Sequence, residues 1–185
     1  MDLAGAHLAG ARFERCVLRA SVLTDLVTEG CTFRSCDLGA ADLSGSTHDG
    51  TAFTNCRFVG ARLSTATFRG CKLTGSDLTE TTLLGLTIDG GDWSYVNLRG
   101  ADLRNQDLSA LRLDHADLSE ADLAGADLRG ADLRQAVLRR TVLRDAVLVD
   151  ARLDGVALKD AELPGVHLDL AGAVRLAESL GAIVD

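Results

Sequence analysis

The chain has 185 residues, the length of one domain, and 46% of them are hydrophobic although only 4% are aromatic. A buried core must therefore be built mainly from Leu, Ala and Val. The net charge of −8 and the pI near 4.9 argue against direct binding to nucleic acid, which depends largely on Lys and Arg neutralising phosphates. They are compatible with a basic partner.

The first residues carry none of the marks of a secretory signal. No basic stretch and no short apolar segment precede the regular pattern, which is already present at Leu3. The chain also lacks a run of about 18 apolar residues, which a membrane-spanning helix would need. We therefore predict a cytoplasmic protein.

A large apolar residue recurs at every fifth position from residue 3 to residue 168. Thirty of these 34 positions hold Leu or Phe, and the exceptions are Thr28, His48, Ile88 and Trp93. A small residue lies two positions earlier, and 15 of the 19 glycines lie two positions later. A period of five fits neither a helix nor a flat strand, whereas a coil that turns a corner every five residues places every large residue inside.

Residues 121–135 read ADLAG-ADLRG-ADLRQ, which is the A(D/N)LXX signature, and the chain resembles pentapeptide-repeat proteins throughout. The resemblance implies an all-β solenoid, a right-handed quadrilateral β-helix with four pentads in each coil. The chain would form about eight coils of about 20 residues each, followed by a short C-terminal α-helix. Residues 20 positions apart would then stack on one another.

Several side chains in the first half could suggest chemistry. The cysteines follow the spacing of the repeat and not that of metal ligands, so we expect packing thiols at Cys16, Cys31, Cys36, Cys56 and Cys71. His48 has no Cys or carboxylate partner in its inward column, which favours a hydrogen-bonded interior histidine over a ligand. Because the motifs of nucleotide binding and hydrolysis are missing, we expect no enzyme activity, no cofactor and no metal.

Residues 84–97, LGLTIDGGDWSYVN, keep the period of five but lose the consensus. Leu86, Gly91 and Val96 take the small position here. We expect a local distortion or a change of turn type. Trp93 and Tyr95 could form a contact surface, but buried aromatic side chains belong mainly to cores, and we favour a packing role.

Aspartates accumulate at the position before each large residue, which points outward. Between residues 92 and 132, seven of nine such positions hold Asp, and a step of 20 residues stacks Asp102 over Asp122 and Asp107 over Asp127. Stacked carboxylates repel one another. The aspartates could serve the backbone of the coil itself, or they could form an anionic surface for a basic partner.

The repeat ends near Leu168, and the last segment has a different period. Apolar residues recur there at steps of three and four, which predicts an amphipathic helix with Asp169 at its start and Gly181 at its end. We divide the chain into a β-helix, residues 1–168, and a capping or dimerisation helix, residues 169–185. The helix could cover the last coil, pair with a second copy, or do both.

Off-consensus segments give a narrower resemblance, to the fluoroquinolone-resistance members of the family. The chain is most similar to the mycobacterial member, and the plasmid-borne Qnr proteins are relatives of it. The segments are TEGCTFRSCDL (28–38), STHDGTAFTNCRF (46–58), LTIDGGDW (86–93) and LDLAGAVRLAESLG (168–181). This resemblance implies a DNA mimic that binds DNA gyrase, a type II topoisomerase, in the saddle that normally holds DNA. It also implies a homodimer, and a changed response of gyrase to fluoroquinolones or a related poison.

The same resemblance implies roles for two sets of residues. The basic saddle of gyrase would face an acidic ladder, Asp102, Asp107, Asp117, Asp122 and Asp127. The seam of the dimer would consist of Leu170, Val174, Ala177 and Leu180. Because the repeat is unbroken, we expect no projecting loop of the Qnr kind, which favours plain binding or inhibition of gyrase over strong rescue from the drug. The alternative is a generic interaction scaffold with an unrelated protein partner.

Overall fold

Backbone pairing in the computed structural model, which describes residues 1–184, follows a step of 20 residues. Parallel bridges run from Asp2–Val22 near one end to Val147–His167 near the other. This step gives about eight coils of four pentads, and the prediction of a pentapeptide-repeat β-solenoid is confirmed. Because the large residue of each pentad points inward, the leucines and phenylalanines merge into one continuous core.

The four sides of the coil are numbered as faces 1 to 4 in chain order. They begin with the pentads centred on Leu3, Leu8, Phe13 and Leu18, respectively, and each face recurs every 20 residues. The regular strands lie on faces 2 and 3 of the first half and pair only in parallel. They are β1 (His7–Ala9), β2 (Arg12–Glu14), β3 (Val27–Glu29), β4 (Thr32–Arg34), β5 (Thr47–Asp49), β6 (Ala52–Thr54), β7 (Thr67–Lys72) and β8 (Thr87–Asp92).

Each corner contains a residue with positive φ, and between residues 5 and 155 this holds at every fifth position, glycine or not. Most corners are β-turns closed by a backbone hydrogen bond, as between Ala101 N–H and Leu98 C=O at 3.0 Å. Within the described residues this bond is missing at six corners, those of Leu8, Phe13, Thr28, Phe33, His48 and Phe53, and the corners of Phe68 and Ile88 lie inside β7 and β8, which run through them. All later corners are closed, so the expected change of turn type falls at residues 84–97.

Four of the five cysteines follow an open corner, where the backbone N–H has lost its partner in the turn, and Cys71 lies inside β7. At Cys56 and Cys31 the side chain one coil further on replaces that partner. Cys56 N–H donates to Ser76 Oγ at 2.9 Å, and Cys31 N–H donates to Thr51 Oγ1 at 3.3 Å. Burial raises the pKa of the Cys56 thiol to about 12 and that of Cys71 to about 11, which leaves both protonated and unreactive. The prediction of packing thiols is confirmed, with backbone hydrogen bonding as a further role.

Aromatic rings fill the core of the first coils. Phe13, Phe33 and Phe53 stack with ring centroids 4.6 and 4.8 Å apart. Trp93 is completely buried, whereas Tyr95 is 56% exposed and stacks on His115. The expected packing role of Trp93 is therefore confirmed.

His48 is completely buried among hydroxyl groups. Its Nδ1 lies 2.7 Å from Thr28 Oγ1, and its Nε2 lies 2.9 Å from Ser46 Oγ. Burial lowers the pKa of His48 to about 3, so the ring is neutral at physiological pH. The prediction of a hydrogen-bonded interior histidine is confirmed.

The C-terminal end departs from the repeat. A 3₁₀ turn, Leu158–Asp160, replaces the last corner of face 4. The helix α1 (Leu170–Ser179) begins where Asp169 Oδ1 accepts a hydrogen bond from Gly172 N–H at 2.7 Å, and Gly181 follows it with a φ of 91°. Leu176 packs against the core, so α1 covers the last coil. None of the helices among residues 1–184 has the length and apolar character needed to cross a membrane.

Candidate interaction surface

The side chains of the acidic ladder hold the corners of their own pentads. Each accepts a hydrogen bond from the N–H two residues further on, at 2.9 Å for Asp117 and 3.0 Å for Asp107, Asp122 and Asp127. The corresponding distance at Asp102 is 3.3 Å. This is the local side-chain turn that Asp and Asn favour. Hydrogen bonding to the backbone of the coil, one of the two roles considered from the sequence, is therefore one role of these aspartates.

The five aspartates do not form one column. Bridges stack Asp102 on Asp122 along face 1 and Asp107 on Asp127 along face 2, while Asp117 follows Asn97 on face 4. The ladder thus covers three adjacent sides of the rod over about two coils. A partner that binds all five carboxylates must embrace the rod rather than lie on one side of it.

Arginines neutralise part of this ladder. Arg104 forms an ion pair with Asp102 at 2.6 Å and lies 3.7 Å from Asp122, so one guanidinium offsets the repulsion of two stacked carboxylates. The hydrogen bond from Arg104 holds the pKa of Asp102 below its usual range. Arg129 pairs with Asp127 at 3.1 Å.

Asp107 and Asp117 form no ion pair within the described part of the chain, so they are the ladder's most available negative charges. The side chain and N–H of Ser109 hold the pKa of Asp107 below its usual range, which keeps this carboxylate charged at neutral pH.

Ion pairs also run along the remaining surface. Arg62 pairs with Asp42 on face 1 at 2.5 Å, and Arg112 lies 3.4 Å from both Asp92 and Asp114 on face 3. Arg152 lies 3.4 Å from Asp132 on the same face. Opposite charges therefore alternate along the rod, and ion pairs neutralise part of its negative charge.

The helix α1 presents apolar side chains on the side away from the coil. Leu170 is 83% exposed and Leu180 is 69% exposed, while Val174 and Ala177 are half-buried. Gly172, by contrast, is buried against Leu168. Grouped on one side of the helix, these apolar side chains form a candidate contact surface for another macromolecule.

A second surface feature was not predicted from the sequence. Leu84 is 78% exposed and lies on the wall of a cleft between two coils. The signal was present, because Leu86 and Gln106 are large residues at two small positions that stack on each other.

The continuous core, the repeated corners and the polar outer registers define a β-solenoid scaffold. The chain belongs to the pentapeptide-repeat family, whose pattern matches in eight copies at residues 2–26, 49–85, 97–135 and 121–160. No curated protein matches the chain in sequence.

Solved structures share the fold. A trypsin-treated form of QnrB1, a plasmid-mediated fluoroquinolone resistance protein, superposes with a TM-score of 0.79 at 20% identity over 99% of this chain and 93% of that one. Full-length QnrB1 gives a TM-score of 0.59 at 24% identity over 95% and 97% of the two chains. HetL, involved in heterocyst differentiation regulation in the cyanobacterium Nostoc sp. strain PCC 7120, is 32% identical over 89% of this chain and 79% of its own, with a TM-score of 0.47.

Proposed function

We propose that the chain is a DNA mimic that binds DNA gyrase in the basic saddle that normally holds DNA. Binding would modulate gyrase and lower its sensitivity to fluoroquinolones or a related gyrase poison, in the cytoplasm where gyrase acts. The observation that carries the proposal is the stacking of outward carboxylates at the spacing of one coil, Asp102 on Asp122 and Asp107 on Asp127. The fold shared with a plasmid-mediated fluoroquinolone resistance protein supports it.

The dimensions of the rod are compatible with this role. Eight coils at about 4.8 Å each give a length of about 40 Å, and two rods end to end would span about 80 Å. Duplex DNA carries about 24 phosphate charges over 40 Å, far more than the net charge of −8 of this chain. The imitation would therefore rest on shape and on local carboxylates, above all Asp107 and Asp117.

The same proposal includes a homodimer joined through α1. Leu170, Val174, Ala177 and Leu180 would form its seam, since the opposite side of α1 already contacts the last coil. A symmetric dimer would place the two acidic ladders on either side of its centre.

The second candidate function is a scaffold for an unrelated protein partner. The alternation of Arg with Asp on all sides of the rod favours it, because ion-paired carboxylates are less available to a basic saddle. A scaffold of this kind would have no effect on gyrase.

Supercoiling of relaxed DNA by purified gyrase, titrated with the protein, separates the two candidates. We expect inhibition, or fewer cleavage complexes when a fluoroquinolone is present. The variant Asp107→Asn with Asp117→Asn should weaken the effect about tenfold, since two exposed charge contacts together contribute about 1 to 2 kcal/mol. Asn keeps the backbone hydrogen bond, as Asn97 does natively, so the coil is preserved.

The matched control is Asp2→Asn with Asp77→Asn, which removes two charges from the same register away from the ladder. It should behave as the unmodified chain does. If none of these proteins affects gyrases from several bacteria, the DNA mimic is rejected and the scaffold for an unrelated protein partner remains.

A further inference from the structure

Apart from the missing Val137–Ala157 bridge beside the 3₁₀ turn, the hydrogen-bonded ladder between coils is interrupted in one region, where it is lost over two adjacent faces. Within residues 1–184, no backbone hydrogen bond joins residues 81–90 to residues 101–110, which follow them by one coil. The equivalent bonds are present on either side, from Leu63 N–H to Thr82 C=O at 2.9 Å and from Leu103 N–H to Asp122 C=O at 2.8 Å.

The interruption affects only faces 1 and 2. On face 3, Trp93 N–H donates to Arg112 C=O at 2.8 Å, and on face 4, Leu98 N–H donates to Asp117 C=O at 2.8 Å. The two coils are therefore hydrogen-bonded to each other on faces 3 and 4 and separated on faces 1 and 2.

Side-chain volume accounts for the opening. Leu86 and Gln106 stack at small inward positions of face 2, where the neighbouring coils have Ala66 and Ala126. Two large side chains cannot share the space of two alanines at the normal distance between coils, because a packed interior does not absorb extra volume without moving the backbone.

The opening forms a cleft that turns one corner of the rod. Its first part has a volume of about 450 Å³ between residues 81–85 and residues 102–106. Its second part has a volume of about 430 Å³ and is lined by Arg69, residues 86–89, Gln106 and Asp107. Volumes of this size are typical of clefts that hold a ligand.

The walls of the cleft carry backbone N–H and C=O groups whose equivalents in other coils form hydrogen bonds to the neighbouring coil. On the wall formed by residues 81–90, which we call the upper wall, the N–H groups of Leu83, Gly85, Ile88 and Gly90 lack the acceptors that the repeat would supply. On the lower wall the carbonyl groups of Asp102, Arg104, Asp107 and Ser109 lack the matching donors. Unpaired strand edges of this kind are templates for another extended chain.

We propose that this cleft, which we call the inter-coil cleft, binds an extended segment of a partner polypeptide by strand addition. Main-chain hydrogen bonds to the free edges would supply affinity, and alternate side chains would supply specificity. A small ring-shaped ligand would satisfy few of these groups, because they are spread along two pentads.

The charges of the lining indicate the composition of that segment. Asp89, Asp102 and Asp107 face Arg69 and Arg104, and Arg104 is already bound to Asp102. One carboxylate remains in excess, which favours a segment with Lys or Arg. The exposed side chain of Leu84 favours an apolar residue beside it. The occupant is thus an extended segment in which basic and apolar residues alternate.

The probe is a blocked hexapeptide of alternating Lys and Val, added to the isotopically labelled full chain without gyrase. We expect amide shifts concentrated in residues 81–90 and 101–110 in NMR spectra. The same peptide with N-methylated valines keeps its charge and loses N–H donors, and it should bind about tenfold more weakly. Equal binding of the two peptides, shifts elsewhere, or no binding at millimolar peptide would overturn the proposal.

Leu84→Lys tests the wall of the cleft and leaves the core untouched, since this side chain is 78% exposed. It should weaken peptide binding about fivefold, because it removes an apolar contact and repels Lys. Val17→Lys, at a side chain that is 76% exposed on face 4, is the matched control and should bind as the unmodified chain does. Equal loss in both variants would show charge repulsion alone and would reject the site.

Discussion

Gly91 shows how closely a single residue of the coil can be constrained. It takes a small inward position with a φ of 116°, directly after Gly90, whose φ is 62°. A Cβ at residue 91 would collide with the carbonyl oxygen of Cys71 in the preceding coil, whereas a Cβ at residue 90 would meet nothing within 4 Å. The two neighbouring glycines are therefore required for different reasons. Gly91 needs an unusual backbone conformation and has no room for a side chain, whereas Gly90 needs only the positive φ of the corner.

The two alanine variants should separate these requirements. Gly90→Ala should lower the free energy of unfolding by about 1 kcal/mol, the cost of the left-handed conformation. Gly91→Ala should lower it by at least about 3 kcal/mol, since the backbone of the coil must move. Urea unfolding of both variants measures the difference. Equal losses would contradict the assigned backbone geometry.

His48 makes stability depend on pH. Its pKa of about 3 in the folded chain lies below the ordinary value of 6.5, so the unfolded chain binds a proton at a higher pH than the folded chain does. The stabilising effect of neutral His48 is complete above pH 6.5 and is lost as the pH falls towards 3. Carboxylates such as Asp42, whose pKa is lowered from 3.8 to about 2 by Arg62, lose their stabilising effect only at lower pH.

Between pH 6.5 and 4.5 we therefore expect the free energy of unfolding to fall by up to about 1.4 kcal/mol per pH unit. The variant His48→Gln should remove most of this slope, while it keeps hydrogen bonding to Thr28 and Ser46 within reach. His7→Gln, at an exposed histidine, is the control. An unchanged slope in His48→Gln would rule out the buried ring as the source.

Among the elements, α1 has two different sides. Asp169 caps α1 through Gly172 N–H at 2.7 Å and joins it to the coil through Asp150 N–H at 2.9 Å, and Arg175 pairs with Asp154 at 2.6 Å. These contacts fix one side of α1 on the last coil and leave Leu170 and Leu180 exposed on the other. A lid and a dimer seam are therefore compatible in one helix.

Charge on the exposed side should abolish a dimer without unfolding the chain. The variant Val174→Asp with Leu180→Asp should be monomeric in light scattering, with a circular dichroism spectrum like that of the unmodified chain. The matched control is Leu84→Lys, which also adds charge at an exposed leucine but away from α1. A persistent dimer would place the seam elsewhere.

The sequence was sufficient for some elements and insufficient for others. The period of five predicted the inward leucines, and Asp169 and Gly181 predicted the ends of α1, because each of these signals is local. The opening between residues 81–90 and 101–110 was missed, since the misfit arises only when Leu86 stacks on Gln106, twenty residues away.

The sequence predicted the stacking of the acidic ladder but not its neutralisation by arginines. Its stacking followed from the step of 20 residues, and the bridges of Asp102 with Asp122 and of Asp107 with Asp127 agree with it. Its neutralisation by Arg104 and Arg129 depends on side-chain directions that no repeat specifies.

For the whole molecule, the rod combines a uniform interior with an uneven outside. Faces 1 and 2 carry both the stacked carboxylates and the inter-coil cleft, while the same two coils stay hydrogen-bonded to each other on faces 3 and 4. Within the acidic ladder, Asp107 and Asp117 are the carboxylates that form no ion pair in the described part of the chain. A basic saddle wide enough for duplex DNA would meet these carboxylates from opposite sides.

Competition with DNA for gyrase tests the central claim most directly. A fluorescently labelled duplex bound to gyrase is titrated with the protein, and its anisotropy is followed at several duplex concentrations. A DNA mimic should displace the duplex, with a midpoint that rises in proportion to duplex concentration, and Asp107→Asn with Asp117→Asn should displace it less well. A duplex that stays bound while the protein also binds gyrase would contradict DNA mimicry.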